Sequence, residues 1–145
     1  MAVEVTREDI AAGLRRLSLD AGRVVMVHSS LSSFGHVAGG AATVVEALLE
    51  VLTPAGTLVV PTFDRFFTGP PDQVFDRERT RSRMGAITEA ARTWPGALRS
   101  SHPGHPFGAI GREAKAITLG PCRARANPDR VSRAGTDARC TGGRE

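Results

Sequence analysis

One stretch decides the fold, residues 24–62, which reads VVMVHSSLSSFGHVAGGAATVVEALLEVLTPAGTLVVPT. Val24 to Val27 form a continuous apolar and β-branched run, the pattern of a strand buried on both faces. A stripe of apolar residues at helical spacing follows, made of Val44, Val45, Leu48, Leu49 and Leu52. Thr57 to Val60 then form a second apolar run that ends at Pro61. The order strand, helix, strand predicts a βαβ unit with a parallel sheet, and therefore an α/β fold class.

The flanking segments extend this pattern. Thr6 and Asp9 have the spacing of a capping box, which predicts a helix that runs to about Leu17 with Ile10, Leu14 and Leu17 on one face. Downstream, the sequence predicts a long polar loop over 64–83, a helix over 84–93, short strand-like pieces around two histidines, and a brief helix over 112–117. Long loops in compact domains are often functional, so 64–83 is a candidate ligand-binding segment.

Charge and composition divide the chain into a body and a tail. The 145 residues are enough for a single domain with a real core. Residues 1–118 carry 13 basic and 12 acidic residues, a net charge of +1, whereas residues 119–145 carry 6 arginines and 3 acids, a net charge of +3. The near-neutral body does not predict a nucleic-acid surface. The tail lacks both apolar periodicity and aromatic residues, so we expect disorder over 119–145.

Several classes of protein are not predicted. No apolar run is long enough for a membrane span and no signal-peptide pattern begins the chain, so the expected location is the cytoplasm. Cys122 and Cys140 have no neighbouring ligand pattern, and the HxxH spacing of His102 and His105 lacks a nearby carboxylate or cysteine. We therefore expect no metal site. The sequence leaves the oligomeric state open.

The polar residues between the first strand and the helix are a candidate ligand site. Four serines fall within residues 29–33, and Gly39 and Gly40 precede the helix. Hydroxyls and free amides near a helix N-terminus suit an anion, and glycines there permit positive φ or close approach. A serine-rich turn that caps the helix is the alternative, and spacing alone does not separate the two. A Ser–His nucleophile at His28 and Ser29 is disfavoured, because adjacent residues of a strand point to opposite faces.

Two further groups carry possible chemistry. Thr80, Ser82 and Arg83 precede the predicted helix at Met84, where they form either a second anion site or an ordinary cap. His102 and His105 lie in a loop stiffened by two prolines, and their chemistry fits a structural role and a ligand contact equally.

Two long motifs together resemble one family. HSSLSSFG at 28–35, continued by GGAATVVEALLEVLTPAGTLVVPT to residue 62, and TRSRMGAITEAARTWPGALRSSHPGHPFGAIG at 80–111 are similar to the aminoglycoside 3-N-acetyltransferases. The similarity runs in order from about Gly13 to Thr118. It implies the α/β fold particular to that family, represented by its N-terminal portion at 1–118 and incomplete at the C-terminus. It also implies transfer of acetyl from acetyl-CoA to the 3-amino group of a 2-deoxystreptamine antibiotic.

The resemblance also implies roles for individual residues. The CoA phosphates and pantetheine would contact Ser29, Ser30, Leu31, Ser32, Ser33, Gly35 and Val37. Thr80, Ser82 and Met84 would line the same channel, and His102, His105 and Phe107 would border the thioester end. Asp64 and Asp76 are candidates for the cationic aminoglycoside, because a polycation favours carboxylates at its pocket.

The sequence departs from the family pattern in two ways. Arg81 stands where the family usually has proline, and Pro106 and Gly108 replace a serine and an alanine. A GxGHxxxTxxHxxE block, whose histidine is thought to deprotonate the attacking amine, does not follow Thr118. His105 and His28 remain as substitute bases, and little turnover is expected. We interpret 119–145 as an out-of-frame product, and a non-catalytic CoA-binding fragment or functionless remnant as the alternative function. Binding of DNA by the basic tail is a third hypothesis.

Overall fold

The computed structural model of the chain describes residues 4–64, 75–102 and 104–119. The elements in chain order are β1 (Glu4–Val5), α1 (Arg7–Arg16), β2 (Val24–Met26), β3 (His36–Val37), α2 (Gly40–Leu52), β4 (Thr57–Pro61), α3 (Ala86–Arg92), β5 (Leu98–Arg99), β6 (Phe107–Gly111) and α4 (Ala114–Thr118). The predicted disorder and frame shift fall on a tail that, beyond Leu119, lies outside the described residues. Residues 65–74, which belong to the predicted long loop 64–83, also lie outside the described residues.

The main sheet has four strands in the order β2-β4-β6-β5. β2 and β4 pair in parallel, with Val24 opposite Thr57 and Met26 opposite Val59. β6 runs antiparallel to both β4 and β5. A separate parallel pair joins β1 to β3. The sheet is therefore mixed, and the parallel part is the pair of strands that flank α2 in the sequence.

β4 is the centre of the core. All five of its residues are buried, as its continuous apolar run predicts. Leu58 and Val60 belong to the main apolar cluster, which also contains Val45 and Leu52 of α2 and Ile87 of α3. Val59 faces the other way, into a smaller cluster with Ala109 and Ala114. The strand is buried on both faces because helices cover both sides of the sheet at this point.

Two helix predictions are confirmed in detail. The Thr6 hydroxyl accepts a hydrogen bond from the amide of Asp9 at 3.2 Å, and the Asp9 carboxylate accepts from the amide of Thr6 at 3.0 Å. The bonds that the Asp9 carboxylate accepts from the amide and the hydroxyl of Thr6 hold its pKa below the ordinary value. The apolar stripe of α2 is buried, apart from the partly buried Leu49. The third helix begins later than predicted, at Ala86.

The prediction that β2 is buried on both faces is wrong. Val24 is 54% exposed and Met26 is 50% exposed. β2 lies at an edge of the sheet, and α4, which covers the second face, packs mainly against β6. Only Val25 and Val27 pack against the main core. The predicted end of the first helix is confirmed to within one residue, since α1 ends at Arg16 and Leu17 is its C-cap; Leu17 is 81% exposed but lines the same cavity as Ile10 and Leu14.

One glycine allows two strands to approach closely. Gly111, the last residue of β6, has a φ of 125°, and a Cβ placed there would lie 2.1 Å from the carbonyl oxygen of Gly56. The same carbonyl accepts a hydrogen bond from the amide of Arg112 at 3.1 Å. The contact fixes where β6 ends beside the start of β4.

We expect Gly111→Ala to destabilise the chain far more than Gly96→Ala. Gly96 has a φ of 78°, but among the described residues nothing lies within 4 Å of the position that a Cβ would occupy there. Gly96→Ala should therefore lower the free energy of unfolding by about 1–2 kcal/mol, the cost of placing a side chain at positive φ. Gly111→Ala should lower it by at least about 3 kcal/mol, because the steric clash with Gly56 is added to the same backbone strain. Urea denaturation measures both, and equal losses would contradict the close approach.

Candidate active site

The candidate site forms where the parallel strands β2 and β4 end. The amide of Val27 donates to the carbonyl of Val59 at 2.9 Å, which extends the pairing one residue beyond β2. The chain then leaves the sheet as the serine loop, residues 28–35. Carboxyl ends of neighbouring parallel strands are a common location for ligands in α/β proteins. The exposed His28 begins the loop at this edge.

The serine loop is built around one turn of 3-10 helix, Leu31–Phe34. The amide of Ser33 donates to the carbonyl of Ser30 at 3.2 Å, and the hydroxyl oxygens of Ser30 and Ser32 are 2.9 Å apart. Ser30, Ser32 and Ser33 are exposed. The hydroxyl oxygen of Ser29 is buried and has no hydrogen-bond partner among the residues that the structure describes. The loop thus has three exposed serines and one buried serine hydroxyl.

The serines do not cap α2. β3 lies between the serine loop and the helix, and the N-cap residue of α2 is Gly39, with a φ of 76°. The Thr43 hydroxyl donates to the carbonyl of Ala38 at 2.6 Å and fills the space that a side chain at Gly39 would need. Val37, in β3, has its side chain in the main core. The helix-cap interpretation of the serines is therefore wrong, whereas the positive φ expected at Gly39 and Gly40 is confirmed.

The segment 80–85 lies against the serine loop. The carbonyl oxygen of Ser29 is 3.9 Å from the position that a Cβ of Gly85 would occupy. The amide of Arg83 donates to the carbonyl of Phe63 at 2.9 Å, which ties the same segment to the chain just after β4. Two motifs that are far apart in the sequence therefore meet at one edge of the sheet.

Hydroxyls in this second segment are oriented by backbone amides. The Ser82 hydroxyl accepts from the amide of Met84 at 3.2 Å, and the Thr80 hydroxyl accepts from the amide of Asp76 at 2.8 Å. A hydroxyl that accepts from a backbone amide keeps its own proton for another acceptor. Both side chains are thereby suited to donate to an anionic or carbonyl ligand.

Glu89 of α3 anchors the segment 80–85 from behind. Its carboxylate accepts from the amide of Ser82 at 2.9 Å and from both Nε and Nη2 of Arg92 at 2.8 Å. The hydrogen bonds from Arg92, with a smaller contribution from Ser82, hold the pKa of Glu89 below its ordinary value. The carboxylate is therefore ionised near neutral pH and fixes the backbone at Ser82.

Arg99 is the most heavily bonded side chain near the site. Its guanidinium is buried, and the residue is 6% exposed. Nε donates to the hydroxyl of Thr62 at 2.9 Å, Nη2 to the carbonyl of Thr62 at 2.6 Å, and Nη1 to the carbonyls of Arg77 and Thr80. The ring of Phe75 lies 4.8 Å from the guanidinium carbon. Burial lowers the pKa of Arg99 to about 10, so the group stays charged at neutral pH.

Thr62 links Arg99 to the histidine loop, residues 100–106, through hydrogen bonds. Its hydroxyl, which accepts from Arg99, donates to the carbonyl of Pro106 at 3.0 Å, and its amide donates to the same carbonyl at 2.9 Å. The amide of Phe107 donates to the hydroxyl of Ser100 at 2.9 Å. One buried cation therefore fixes both the turn that carries Thr80 and the loop that carries the histidines.

The two histidines have different surroundings. Nδ1 of His102 accepts from the amides of Gly104 and His105 at 3.2 and 2.9 Å. These bonds assign the proton of neutral His102 to Nε2, which becomes a hydrogen-bond donor. His105 is exposed, and its ring packs edge-on against Phe63 at 5.2 Å. Phe63 also contacts the ring of Phe107 at 5.6 Å, so an aromatic wall adjoins the histidines.

Both predicted substrate carboxylates have partners within the protein. Oδ1 of Asp64 accepts from Nε of Arg83 at 2.9 Å, and the Asp64 side chain is only 8% exposed. The exposed carboxylate of Asp76 accepts from the amides of Glu78 and Arg79 at 2.8 and 2.9 Å. These backbone bonds lower the pKa of Asp76. Asp76 holds a turn and remains accessible, whereas Asp64 is largely covered.

No group of potential metal ligands occurs in residues 4–64, 75–102 and 104–119. Cys122 and Cys140 lie outside these ranges. Across the same ranges, no helix combines the length and the apolar character that crossing a bilayer requires.

Comparison with known proteins decides the family. Residues 26–127 match the sequence profile of the family described as aminoglycoside 3-N-acetyltransferase. The chain belongs to the aminoglycoside 3-N-acetyltransferase family. The resemblance of the serine-loop and histidine-loop motifs to this family is thereby confirmed.

Individual relatives agree with this assignment. The chain is 36% identical over 132 residues to the SPbeta prophage-derived aminoglycoside N(3')-acetyltransferase-like protein YokD of Bacillus subtilis, covering 77% of this chain and 48% of that protein. It is 38% identical over 133 residues to aminoglycoside N(3)-acetyltransferase VII of Streptomyces paromomycinus, covering 79% and 46%. A solved structure described as AAC-IIIb binary with CoASH matches with a TM-score of 0.71 at 32% identity, covering 80% and 49%. The chain thus spans about half the length of the curated relatives it matches.

Three residues that hold the candidate site in place cannot be recognised from local sequence patterns. They are Arg99, Glu89 and Phe63. Each makes its main contacts with residues distant in sequence or with backbone groups, so no short motif indicates its role. Arg99 stands in a short strand and directly precedes the serines of the histidine loop. A charged residue within a strand-like piece of the sequence is the signal that could have drawn attention to it.

Removal of the Arg99 guanidinium should destabilise the fold strongly. In Arg99→Met the carbonyls of Thr62 and Thr80 lose their buried donor, so we expect the free energy of unfolding to fall by about 3 kcal/mol or more. Arg99→Lys should recover little, since one ammonium does not reproduce the planar fork. The matched control is Arg112→Met, whose side chain is 72% exposed and should change stability by less than about 0.5 kcal/mol. Equal effects in denaturant titrations would refute the anchoring role.

Proposed function

We propose that this chain provides the acetyl-CoA-binding part of an acetyltransferase that acts on the 3-amino group of 2-deoxystreptamine aminoglycosides. The observation that carries the proposal is the meeting of the serine loop with the segment 80–85, where the carbonyl oxygen of Ser29 is 3.9 Å from the position that a Cβ of Gly85 would occupy. Both segments belong to motifs shared with the family. A relative that shares this fold is solved with CoASH, which supports CoA as the ligand.

The proposed cosubstrate contacts are those that the resemblance to the family implies. The proposed contacts are Ser29, Ser30, Leu31, Ser32, Ser33, Gly35, Val37, Thr80, Ser82, Met84, His102, His105 and Phe107. The hydroxyls of Ser30 and Ser32 share one hydrogen bond and keep a second proton for a phosphate oxygen. Val37 would contribute through its backbone, because its side chain is in the core.

His102 would act at the thioester end. Attack of the amine on the thioester carbonyl carbon places negative charge on the carbonyl oxygen, and collapse of the tetrahedral intermediate expels CoA as the thiolate. A fixed donor aimed at that oxygen stabilises the charge. The Nε2 proton of His102 is such a donor, because two backbone amides occupy Nδ1. Since this Nε2 carries the proton, His105 and His28 are the histidines here that remain candidates for removing the amine proton.

The aminoglycoside contact is proposed at Asp76 in preference to Asp64. Asp76 keeps an exposed and ionised carboxylate, whereas Asp64 is paired with Arg83 and largely covered. An accessible carboxylate attracts a cationic amine electrostatically, whereas a carboxylate already paired with an arginine attracts it only weakly.

Loss of two serine hydroxyls should weaken CoA binding. We expect Ser30→Ala with Ser32→Ala to raise the Kd for CoA about fivefold, because the pair loses its one free hydroxyl proton and with it a hydrogen bond of roughly 1 kcal/mol to the phosphate. Isothermal titration calorimetry measures the change. Thr93→Ala is the matched control, since it removes a hydroxyl at the opposite end of α3. Equal affinity of the double variant and the parent would refute the serine-loop contact.

Turnover by the 145-residue chain alone should be small. The sequence contains no GxGHxxxTxxHxxE block, to which the resemblance assigns the base, and an amine attacks poorly when its proton has no acceptor. CoA release from acetyl-CoA with gentamicin or kanamycin, followed with a thiol reagent, measures turnover. Robust release would overturn this expectation and would make His105→Ala and His28→Ala the variants that identify the base.

A further inference from the structure

A cavity lies at the C-terminal end of α3. Helix α3 begins after Gly85, beside the serine loop, and ends at this cavity, which β5 and the turn after Asp76 also line. The volume of the cavity is about 420 Å³, which is within the range of small-molecule sites. None of its described lining residues is among the proposed cosubstrate contacts. We name this cavity, lined by residues 77–78, 92–94, 97–99 and 119, the α3 pocket.

Arg99 contributes a buried cation to the wall of the α3 pocket. Its hydrogen bonds to described residues all end on uncharged oxygens, which belong to Thr62, Arg77 and Thr80. A buried charge usually has a partner of opposite charge, because carbonyl oxygens alone leave the charge unneutralised. Within the described part of the chain, no ion pair joins this guanidinium to a carboxylate.

A second guanidinium lies near this cation. Arg92 also lines the pocket, and the carboxylate of Glu89 neutralises it at 2.8 Å. Burial and then the positive charge of Arg92 lower the pKa of Arg99 to about 10, and the carboxylates of Glu89, Asp64 and Asp76 offset this only in part. A negative charge placed in the pocket would favour the charged form of Arg99.

Both guanidiniums keep N–H groups for a ligand. Each terminal nitrogen of an arginine side chain carries two N–H groups. In bonds to described residues, Nη2 of Arg99 and both terminal nitrogens of Arg92 each use one of the two. A carboxylate accepts such N–H groups and supplies negative charge at the same time, so the pair of arginines suits an organic anion.

The charge of the pocket favours a single carboxylate over a phosphate. Arg92 is neutralised by Glu89, and Arg77 is exposed to water, so the buried charge left without a described counter-ion is that of Arg99. One negative charge balances it. A phosphate dianion would give up the hydration of two charges for one buried partner.

Two large apolar side chains line the same pocket. Trp94 is partly buried, and Leu98 is 38% exposed. A ligand with a hydrocarbon body would cover this apolar surface and gain from its removal from water. Trp94 is also the only tryptophan of the chain, so its fluorescence reports occupation of the pocket.

We propose that the α3 pocket binds a small organic molecule that carries one carboxylate on a short apolar body. The carboxylate accepts from Arg92 and Arg99, and the body packs against Trp94 and Leu98. The inference is independent of acetyl transfer, because the pocket shares no described residue with the proposed cosubstrate contacts.

The test is titration of the full chain with sodium hexanoate, followed by the fluorescence of Trp94. We expect saturable binding with a Kd on the order of 1 mM. Hexanol has a similar body without the charge and should bind at least about tenfold more weakly, because the charge-assisted hydrogen bonds are lost. Inorganic phosphate has no apolar body and should leave the fluorescence unchanged at the same concentration.

Two variants locate the bound molecule. Arg77→Gln should raise the Kd for hexanoate about threefold, because it removes an exposed cation that lines the pocket and keeps the carbonyl that accepts from Arg99. Ala97→Leu should raise the Kd about tenfold, because it fills part of the pocket without changing its charge. The matched control is Arg79→Gln, an exposed arginine of the same turn that is not among the described lining residues; it should leave the Kd unchanged.

Other outcomes would overturn the inference. They are the absence of a fluorescence change with hexanoate, equal affinity for hexanol, and equal effects of Arg77→Gln and Arg79→Gln. Binding of phosphate without binding of hexanoate would refute the carboxylate class. Loss of hexanoate binding on combined Ser30→Ala and Ser32→Ala would assign the ligand to the serine loop. A parent chain that binds hexanoate but not CoA refutes the proposed function and leaves the α3 pocket inference standing.

Discussion

The buried guanidinium of Arg99 is the interaction on which the arrangement of the site depends. It donates to Thr62 at the end of β4 and to the carbonyl of Thr80, and Thr62 in turn holds Pro106. A charge removed from water is tolerated only when its donors are satisfied, so the carbonyls around it have little freedom to move. The segments that leave β4 and enter β6 are thereby held in fixed relation to the sheet, and each carries part of the candidate site.

Around this anchor, the family's motifs form a single surface. The serine loop follows β2, the segment 80–85 packs beside it, and the histidine loop adjoins through Phe63. Backbone amides donate to the hydroxyl of Ser82 and to Nδ1 of His102, and the carboxylate of Glu89 accepts from the amide of Ser82. The proposed cosubstrate would lie along this surface, with its phosphates at the serine loop and its carbonyl at the histidine loop.

Local sequence patterns predicted correctly those elements whose burial or capping depends on residues close in sequence or is the same on both faces. The run Thr57 to Val60 is buried on both faces, α2 buries its stripe, and the capping box of Thr6 forms as its spacing predicts. The run Val24 to Val27 has the same composition as the run in β4, but it lies at a sheet edge and exposes Val24 and Met26. An apolar run indicates a strand and does not indicate whether a neighbour covers each face, because that depends on strand order. Likewise, Asp64 and Asp76 have the right charge for a polycation, but only their partners show which one is accessible.

The sequence by itself determined the family, the alternation of helix and strand, and the residue types that suit a CoA ligand, because these properties are encoded in motifs of contiguous residues. Tertiary structure alone decided that Arg99 is the anchor, that Gly39 and not a serine caps α2, and that Asp76 stays accessible while Asp64 does not. Each of these depends on contacts between side chains and backbone groups that are distant along the chain. Periodicity and local spacing in the sequence do not predict such contacts.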